Sequence, residues 1–280
     1  MYRAPLFLLV FIVLVFACCN QREQYANPDG YDFNKGSLIK LPLELDEISG
    51  VAYYPKDTSV FSINDERGWL YKIGVGHNRN IQRWKFSSGG DFEDLVLLDS
   101  IFYVLQSNGD LTKISFVDSS LFVKFFPFTY KSENEFEILY YDDAKGKLIL
   151  ICKDCETDKK KSLTTFSFDP LTEQFSDNSF SIDTKQIAGA IGEKKIKFKP
   201  SAASINPRDS LLYIISSVNK LLVVTDRDGN FQKAYPLSST LFKQPEGLTF
   251  TPEGTLIISN ESAETGVANL LIFSLAKIRS

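Results

Sequence analysis

The sequence predicts an all-β fold, a β-propeller of five blades with four antiparallel strands each, closed by an N-terminal strand in the last blade. Three observations predict it. One short unit recurs five times, opening at Ser49, Glu93, Glu137, Ser201 and Glu246, at steps of 44, 44, 64 and 45 residues. Self-similarity at this period, with several short strands per copy, marks a propeller. The second strands are almost unbroken apolar runs, such as Ile101-Phe-Tyr-Val-Leu105, Leu148-Ile-Leu-Ile151 and Leu211-Leu-Tyr-Ile-Ile215. A half-exposed strand would alternate, whereas one covered on both faces reads this way, as between blades packed face to face. Finally, the fifth copy supplies three strands where the others supply four, and a spare strand, Ser37–Glu44, precedes the first copy. Pairing the two chain ends would close the ring and remove its free edges. Six blades is the alternative, because the long step after Glu137 has room for more strands.

The N-terminus reads as a targeting segment. Arg3 precedes an uncharged apolar run from Leu6 to Ala17, too short to span a bilayer comfortably and matched to a signal-peptide core. It ends at Val15-Phe16-Ala17-Cys18, which looks like a bacterial lipobox. Residues 1–17 are then a lipoprotein signal peptide, Cys18 carries the lipid, and 18–36 is a flexible tether. Residues 37–280 form a single propeller domain. A plain secretory signal or an uncleaved anchor is the alternative. The expected address is the bacterial cell envelope, lipid-anchored and facing the periplasm or the cell surface.

Along the domain, turn signals separate strands near 50–54, 59–63, 70–73 and 81–86 in copy one, and 93–98, 101–106, 111–117 and 121–128 in copy two. Copy three gives 137–141, 147–152, 163–168 and 174–182. An insertion over 183–199 follows, with a helical turn at 186–191. Copy four gives 201–205, 211–216, 220–225 and 231–237, and copy five 246–250, 255–259 and 270–275.

A net charge of −4 and the absence of a clustered basic face argue against nucleic acid as a partner. The basic residues 159–161 and Lys194 to Lys199 read as solvated tips or faces. Cys152 and Cys155 could close a local disulfide in an oxidising compartment. The favoured expectation is instead a buried Cys152 in a strand and Cys155 in the following loop. The chain has no Gly-x-Ser-x-Gly, His-Glu-x-x-His or P-loop motif. His77 is the only imidazole and reads as a turn residue, which leaves no Ser-His-Asp triad to assemble. Trp69 and Trp84 read as packing, with Trp69 placed to rim the channel mouth.

Residues that open first strands and residues that close second strands share one end of a propeller. That end collects Glu93, Glu137 and Glu246, with Asp65, Glu66 and Glu261 as outer members and Glu47, Asp91, Asp94 and Glu135 nearby. Like-charged carboxylates crowded at a narrow opening either hold protons at raised pKa or gather a cation. Oxygen ligands without His or Cys suit Ca²⁺ or Mg²⁺. The bland alternative is that these acids cap turns and face water.

Four segments in order, Leu45-Asp-Glu-Ile-Ser-Gly-Val-Ala-Tyr-Tyr54, Phe92-Glu-Asp-Leu95, Lys199-Pro-Ser-Ala-Ala203 and Gln244-Pro-Glu-Gly-Leu-Thr-Phe250, resemble the SdiA-regulated (YjiK-like) β-propeller family of bacterial envelope proteins. The likeness covers about residues 37–276 and follows less closely at Glu137-Ile-Leu-Tyr140. It implies a propeller in the envelope, with calcium-dependent propellers among its broader relatives, and carries no established reaction. The expected function is binding of a small ligand or an envelope protein at the acidic mouth, with a divalent cation. A metal-dependent hydrolase of phosphate esters or lactones and a non-catalytic scaffold are the competing classes.

Overall fold

Five antiparallel sheets radiate from a common axis, one from each sequence repeat, four of them four-stranded and the third with an added short strand. The computed structural model describes residues 25–76, 80–118, 120–130, 133–158, 162–177, 179–262 and 266–276. Blade 1 comprises β2 (Ile48–Tyr54), β3 (Ser59–Asn64), β4 (Trp69–Gly74) and β5 (Ile81–Lys85). Blade 2 comprises β6 (Phe92–Leu98), β7 (Ile101–Gln106), β8 (Leu111–Val117) and β9 (Ser120–Phe126). Blade 3 has β10 (Asn134–Asp142), β11 (Lys147–Cys155), β12 (Ser162–Asp169) and β13 (Gln174–Ser176). A further short strand, β14 (Ser181–Asp183), pairs with the other half of β12. The single outer strand expected over 174–182 is thus two, divided along β12. The insertion holds one helix, α1 (Thr184–Ala190), capped by the Asp183 carboxylate accepting from Lys185 N.

Blade 4 is β15 (Ala202–Ile205), β16 (Leu212–Ser216), β17 (Leu221–Thr225) and β18 (Phe231–Pro236). Blade 5 is β19 (Pro245–Phe250), β20 (Leu256–Asn260), β21 (Asn269–Phe273) and, from the other end of the chain, β1 (Ser37–Lys40). The β1–β21 pairing is antiparallel, from Ser37 opposite Ile272 to Lys40 opposite Asn269. The inner strands contact one another around a full circle, β2 to β6 to β10 to β15 to β19 and back to β2. That circle settles the number of blades at five.

The second strands are buried on both faces because a separate apolar cluster fills each of the five blade interfaces. Between blades 1 and 2, for example, Phe61, Leu70, Phe102 and Ile114 meet, and between 3 and 4 Ile149, Ile151, Leu212 and Ile214. Trp84 joins this packing against Phe61 and Phe116, while Arg83 and Lys85 lie over the Trp69 ring.

Residues just before β1, expected as part of a flexible tether, pack onto the propeller. Tyr31 and Phe33 are buried against blades 4 and 5, and the Tyr31 hydroxyl donates to Gly254 O at 2.7 Å. Aromatic burial of this kind fastens the chain from about residue 29 onward.

Near the axis the blades approach so closely that only glycine fits at two positions. A Cβ on Gly50 would stand 2.2 Å from Asp94 Oδ1 and 2.6 Å from Leu95 N, and one on Gly247 2.8 Å from Ser49 O. The glycines of the Ser-Gly and Pro-Glu-Gly segments are therefore spacers between inner strands. Gly50→Ala should cost roughly 1–3 kcal/mol through forced separation of blades 1 and 2. Urea denaturation checks this; an unchanged midpoint would show that the blades part freely.

Candidate functional site

The three central carboxylates stand at one position of the repeat because each sits on a β-bulge at the start of an inner strand. Pairing jumps from Phe92–Gln106 to Asp94–Leu105, from Phe136–Cys152 to Ile138–Ile151, and from Pro245–Asn260 to Gly247–Ser259. Glu93, Glu137 and Glu246 are the extra residues. A bulge leaves its extra residue out of the ladder and re-aims its side chain. The bulged starts are held by the preceding blade, Phe92 N donating to Asp65 O at 2.7 Å and Phe136 N to Ser107 O at 2.8 Å. Ser49 and Ser201 fill the equivalent places in blades 1 and 4 and tie blades together. The Ser201 hydroxyl donates to Pro245 O at 2.6 Å, and the Ser259 hydroxyl donates to Ser49 O at 3.1 Å.

Electrostatically the three acids form one group. Burial, then the charges of Glu137 and Asp91, push Glu93 up to about 9. Burial, then Glu137 and Glu261, push Glu246 up to about 8. A second group lies beside them between blades 5 and 1. There burial, then Glu47, Glu66 and Glu261, raise Asp65 to about 7, and its Oδ1 is buried without a hydrogen-bond partner. Glu261 is raised by burial and by Glu47, and accepts a hydrogen bond from the Gln244 amide. Glu66 is exposed on the adjoining turn.

One residue at the mouth was not anticipated. Lys153 bonds to Glu137 and lies 3.0 Å from Glu135. Burial works against its ammonium, but the pairing with Glu137 and Glu135 more than offsets this and holds its pKa above the ordinary range. Glu137 remains raised because burial outweighs the opposing effect of Lys153. Lys153 is itself the extra residue of a bulge, between the pairs Glu135–Asp154 and Phe136–Cys152. The flanking Cys152 and Cys155 are joined as a disulfide with Cα atoms 5.7 Å apart, and both lie within β11. The favoured placement of Cys155 in a loop after the strand is thus corrected: both cysteines lie in β11 and are bonded to each other across its bulged residue. The Cys-Lys-Asp-Cys spacing carried the signal.

Other acids leave the mouth. Asp94 lies in the channel wall, accepting from Leu95 N at 2.8 Å and from Leu139 N of blade 3 at 2.9 Å. It joins blades there, and burial raises its pKa well above the carboxylate range. Asp154 turns outward to Lys197 at 2.6 Å and Lys199 at 3.6 Å. His77 and residues 159–161, like Cys18, lie outside the described residues.

Across blades 3, 4 and 5 the mouth opens into a cavity of about 350 Å³ lined by Glu137, Lys153, Ser201, Ser217, Lys220 and Glu246, among others. Among the described residues the one grouping with three ligand atoms close enough for a shared metal is Cys152, Cys155 and Asp158. Its sulfurs are bonded to each other and offer no thiolates. The mouth carboxylates are not among the groupings whose ligand atoms lie within 4.8 Å of one another. Among the described residues no helix is long and apolar enough to cross a membrane.

Fold and site together define a five-bladed propeller with a carboxylate-lined end. The chain belongs to the SdiA-regulated family, whose sequence model matches residues 38–265. No curated protein sequence matches the chain. Three solved structures share its fold. A Myxococcus xanthus glutaminyl cyclase superposes with a TM-score of 0.54 at 13% identity, covering 86% of this chain and 97% of that one. A luciferin-regenerating enzyme gives 0.52 at 9%, covering 85% and 95%. Regucalcin from Agrobacterium tumefaciens, described as a calcium-binding protein, gives 0.51 at 12%, covering 82% and 92%. At such identities the likeness speaks for the fold alone.

Proposed function

We propose that this protein is a cell-envelope lipoprotein whose propeller binds a positively charged ligand at its channel mouth, a divalent cation such as Ca²⁺ or Mg²⁺ being the simplest. One observation carries this reading. Lys153 is paired with Glu135 and Glu137, while among the described residues neither Glu93 nor Glu246 has an ion-pair partner within 4 Å, and burial keeps both raised although Lys153, and for Glu246 also Lys220, act on them from farther away. Each is neutralised either by a proton or by a bound cation. Ligand and proton therefore compete, and affinity rises with pH, by about tenfold per unit for each proton displaced.

Calorimetric titration of Ca²⁺ and Mg²⁺ into the propeller at pH 6.5 and 8.5 tests the proposal. Binding should be tighter at pH 8.5, with proton release, and should vanish in the Glu93→Gln, Glu246→Gln double variant. Absence of binding at both pH values, or binding that the double variant retains, would remove the cation from the mouth. The envelope address rests on the lipobox, and Cys18→Ser should release the protein from the membrane fraction.

A further inference from the structure

We infer that the cavity at the mouth takes a small zwitterion, a molecule that joins an ammonium group to a carboxylate, with the ammonium at Glu246 and the carboxylate at Lys220. This names the ligand class of the site proposed above and rests on that reading.

Both signs of charge stand unpaired around one space. Glu137, Lys153, Lys220, Lys243 and Glu246 line the same cavity of about 350 Å³. Glu137 and Lys153 pair with each other. Among the described residues, Lys220, Lys243 and Glu246 have no ion-pair partner within 4 Å. The Lys220 ammonium donates instead to Lys243 O and feels Glu246 from farther away. Burial pulls the Lys220 pKa down and pushes Glu246 up to about 8. A charge withdrawn from water without a partner is costly. One ligand with opposite charges at its two ends compensates both residues at once.

Size and lining narrow the class. The cavity has the volume of roughly ten waters, far more than a lone ion fills, and small-molecule sites begin at about 300 Å³. Pro200 and Val218 are its only apolar lining residues, so the ligand is polar along its length. Val218 and Lys243, both exposed, mark its open side.

The backbone at Lys220 is an independent mark. Among the described residues, six other than glycine have positive φ. Five lie in turns at the far end of the ring, opposite the mouth. Lys220, at 51°, is in the β16–β17 turn at the mouth. In blade 1 the same place, directly before the third strand, is held by Gly68 at 58°. Left-handed backbone disfavours a residue with a Cβ, so glycine suits this turn better and the ammonium is what lysine adds. Strain of this kind collects at ligand sites. The turn is also pinned: Lys199 N donates to Asn219 Oδ1 at 2.9 Å, and Asn219 N to the Ser216 hydroxyl at 3.0 Å.

Calorimetry on the full-length protein at pH 8.5 tests this, with the ω-amino acids from glycine to aminohexanoate beside butylamine, butyrate and Ca²⁺. The best-fitting zwitterion should bind about tenfold or more tighter than butylamine or butyrate, the worth of one added charged hydrogen bond. Lys220→Gly should lose that advantage without lowering the melting temperature. Ca²⁺, relieved of a like charge, should bind this variant no more weakly than the parent. Lys220→Met, which keeps the aliphatic stem, should lose the zwitterion equally. A zwitterion no tighter than its halves, or one that Lys220→Gly binds as well as the parent does, overturns the inference. In that case retained Ca²⁺ binding leaves the cationic-ligand reading standing, and absence of Ca²⁺ and butylamine binding overturns both.

Discussion

Replacing Lys153 with methionine should destabilise the fold by about 3 kcal/mol at pH 8 and by much less at pH 5, since removing one partner of a buried ion pair leaves the other charge uncompensated. The exposed partner is Glu135 and the buried one Glu137. Without the ammonium, Glu137 loses its ion-pair partner and is left beside Glu93, Asp91 and Glu135. Its carboxyl, already raised by burial, rises further.

The sign follows from proton counting. A carboxyl raised in the folded state binds a proton that the unfolded chain has already lost, so its contribution is fully present below the ordinary glutamate range and disappears as pH climbs through the folded value. For Glu93 that window extends to about 9, and Glu137 in the variant should follow it. Urea denaturation at pH 5 and pH 8 checks the prediction. An equal loss at both would mean that Lys153 stabilises through its aliphatic stem rather than its charge.

A chain that starts at Pro42 should give no folded monomer. It loses β1 with its four pairings to β21 and the buried side chains Tyr31, Phe33, Ile39 and Leu41. Full burial of such side chains contributes roughly 1.5–3 kcal/mol each, against a total stability of about 5–15 kcal/mol for a domain. The loss also turns β21, with Leu270, Leu271 and Phe273, into an open apolar edge, a template for pairing with another chain. Size-exclusion chromatography should show aggregates, and circular dichroism no cooperative melt near the parent temperature. A monomer melting within a few degrees of the full chain would show that the ring needs no latch. Ile39→Asp, which keeps the chain length, should weaken the same contact to a smaller degree.

The Lys153 ion pair and the β1–β21 latch both join residues far apart in the chain, and the repeat encodes them unequally. The repeat places Glu93, Glu137 and Glu246 at one register position, and the structure brings them together there. Lys153 has no counterpart in the other copies, so no repeat could mark it. It stands at the mouth as the extra residue of a bulge in β11, which depends on pairing with β10. Asp94 follows Glu93 by one residue and yet serves the channel wall. Pleating sends neighbours to opposite sides, and the Leu139 amide of the next blade decides its use.

The sequence by itself determined the all-β class, the four-strand unit, the closure of the ring by the chain's two ends and the shared position of three glutamates. These are properties of periodicity and apolar patterning, written locally along the chain. Only the tertiary structure decided which acids acquire a lysine partner, that Cys152 and Cys155 join, and that Tyr31 and Phe33 fasten the entering chain to the far end. Such outcomes depend on burial and on partners tens to hundreds of residues away, and no local pattern encodes either.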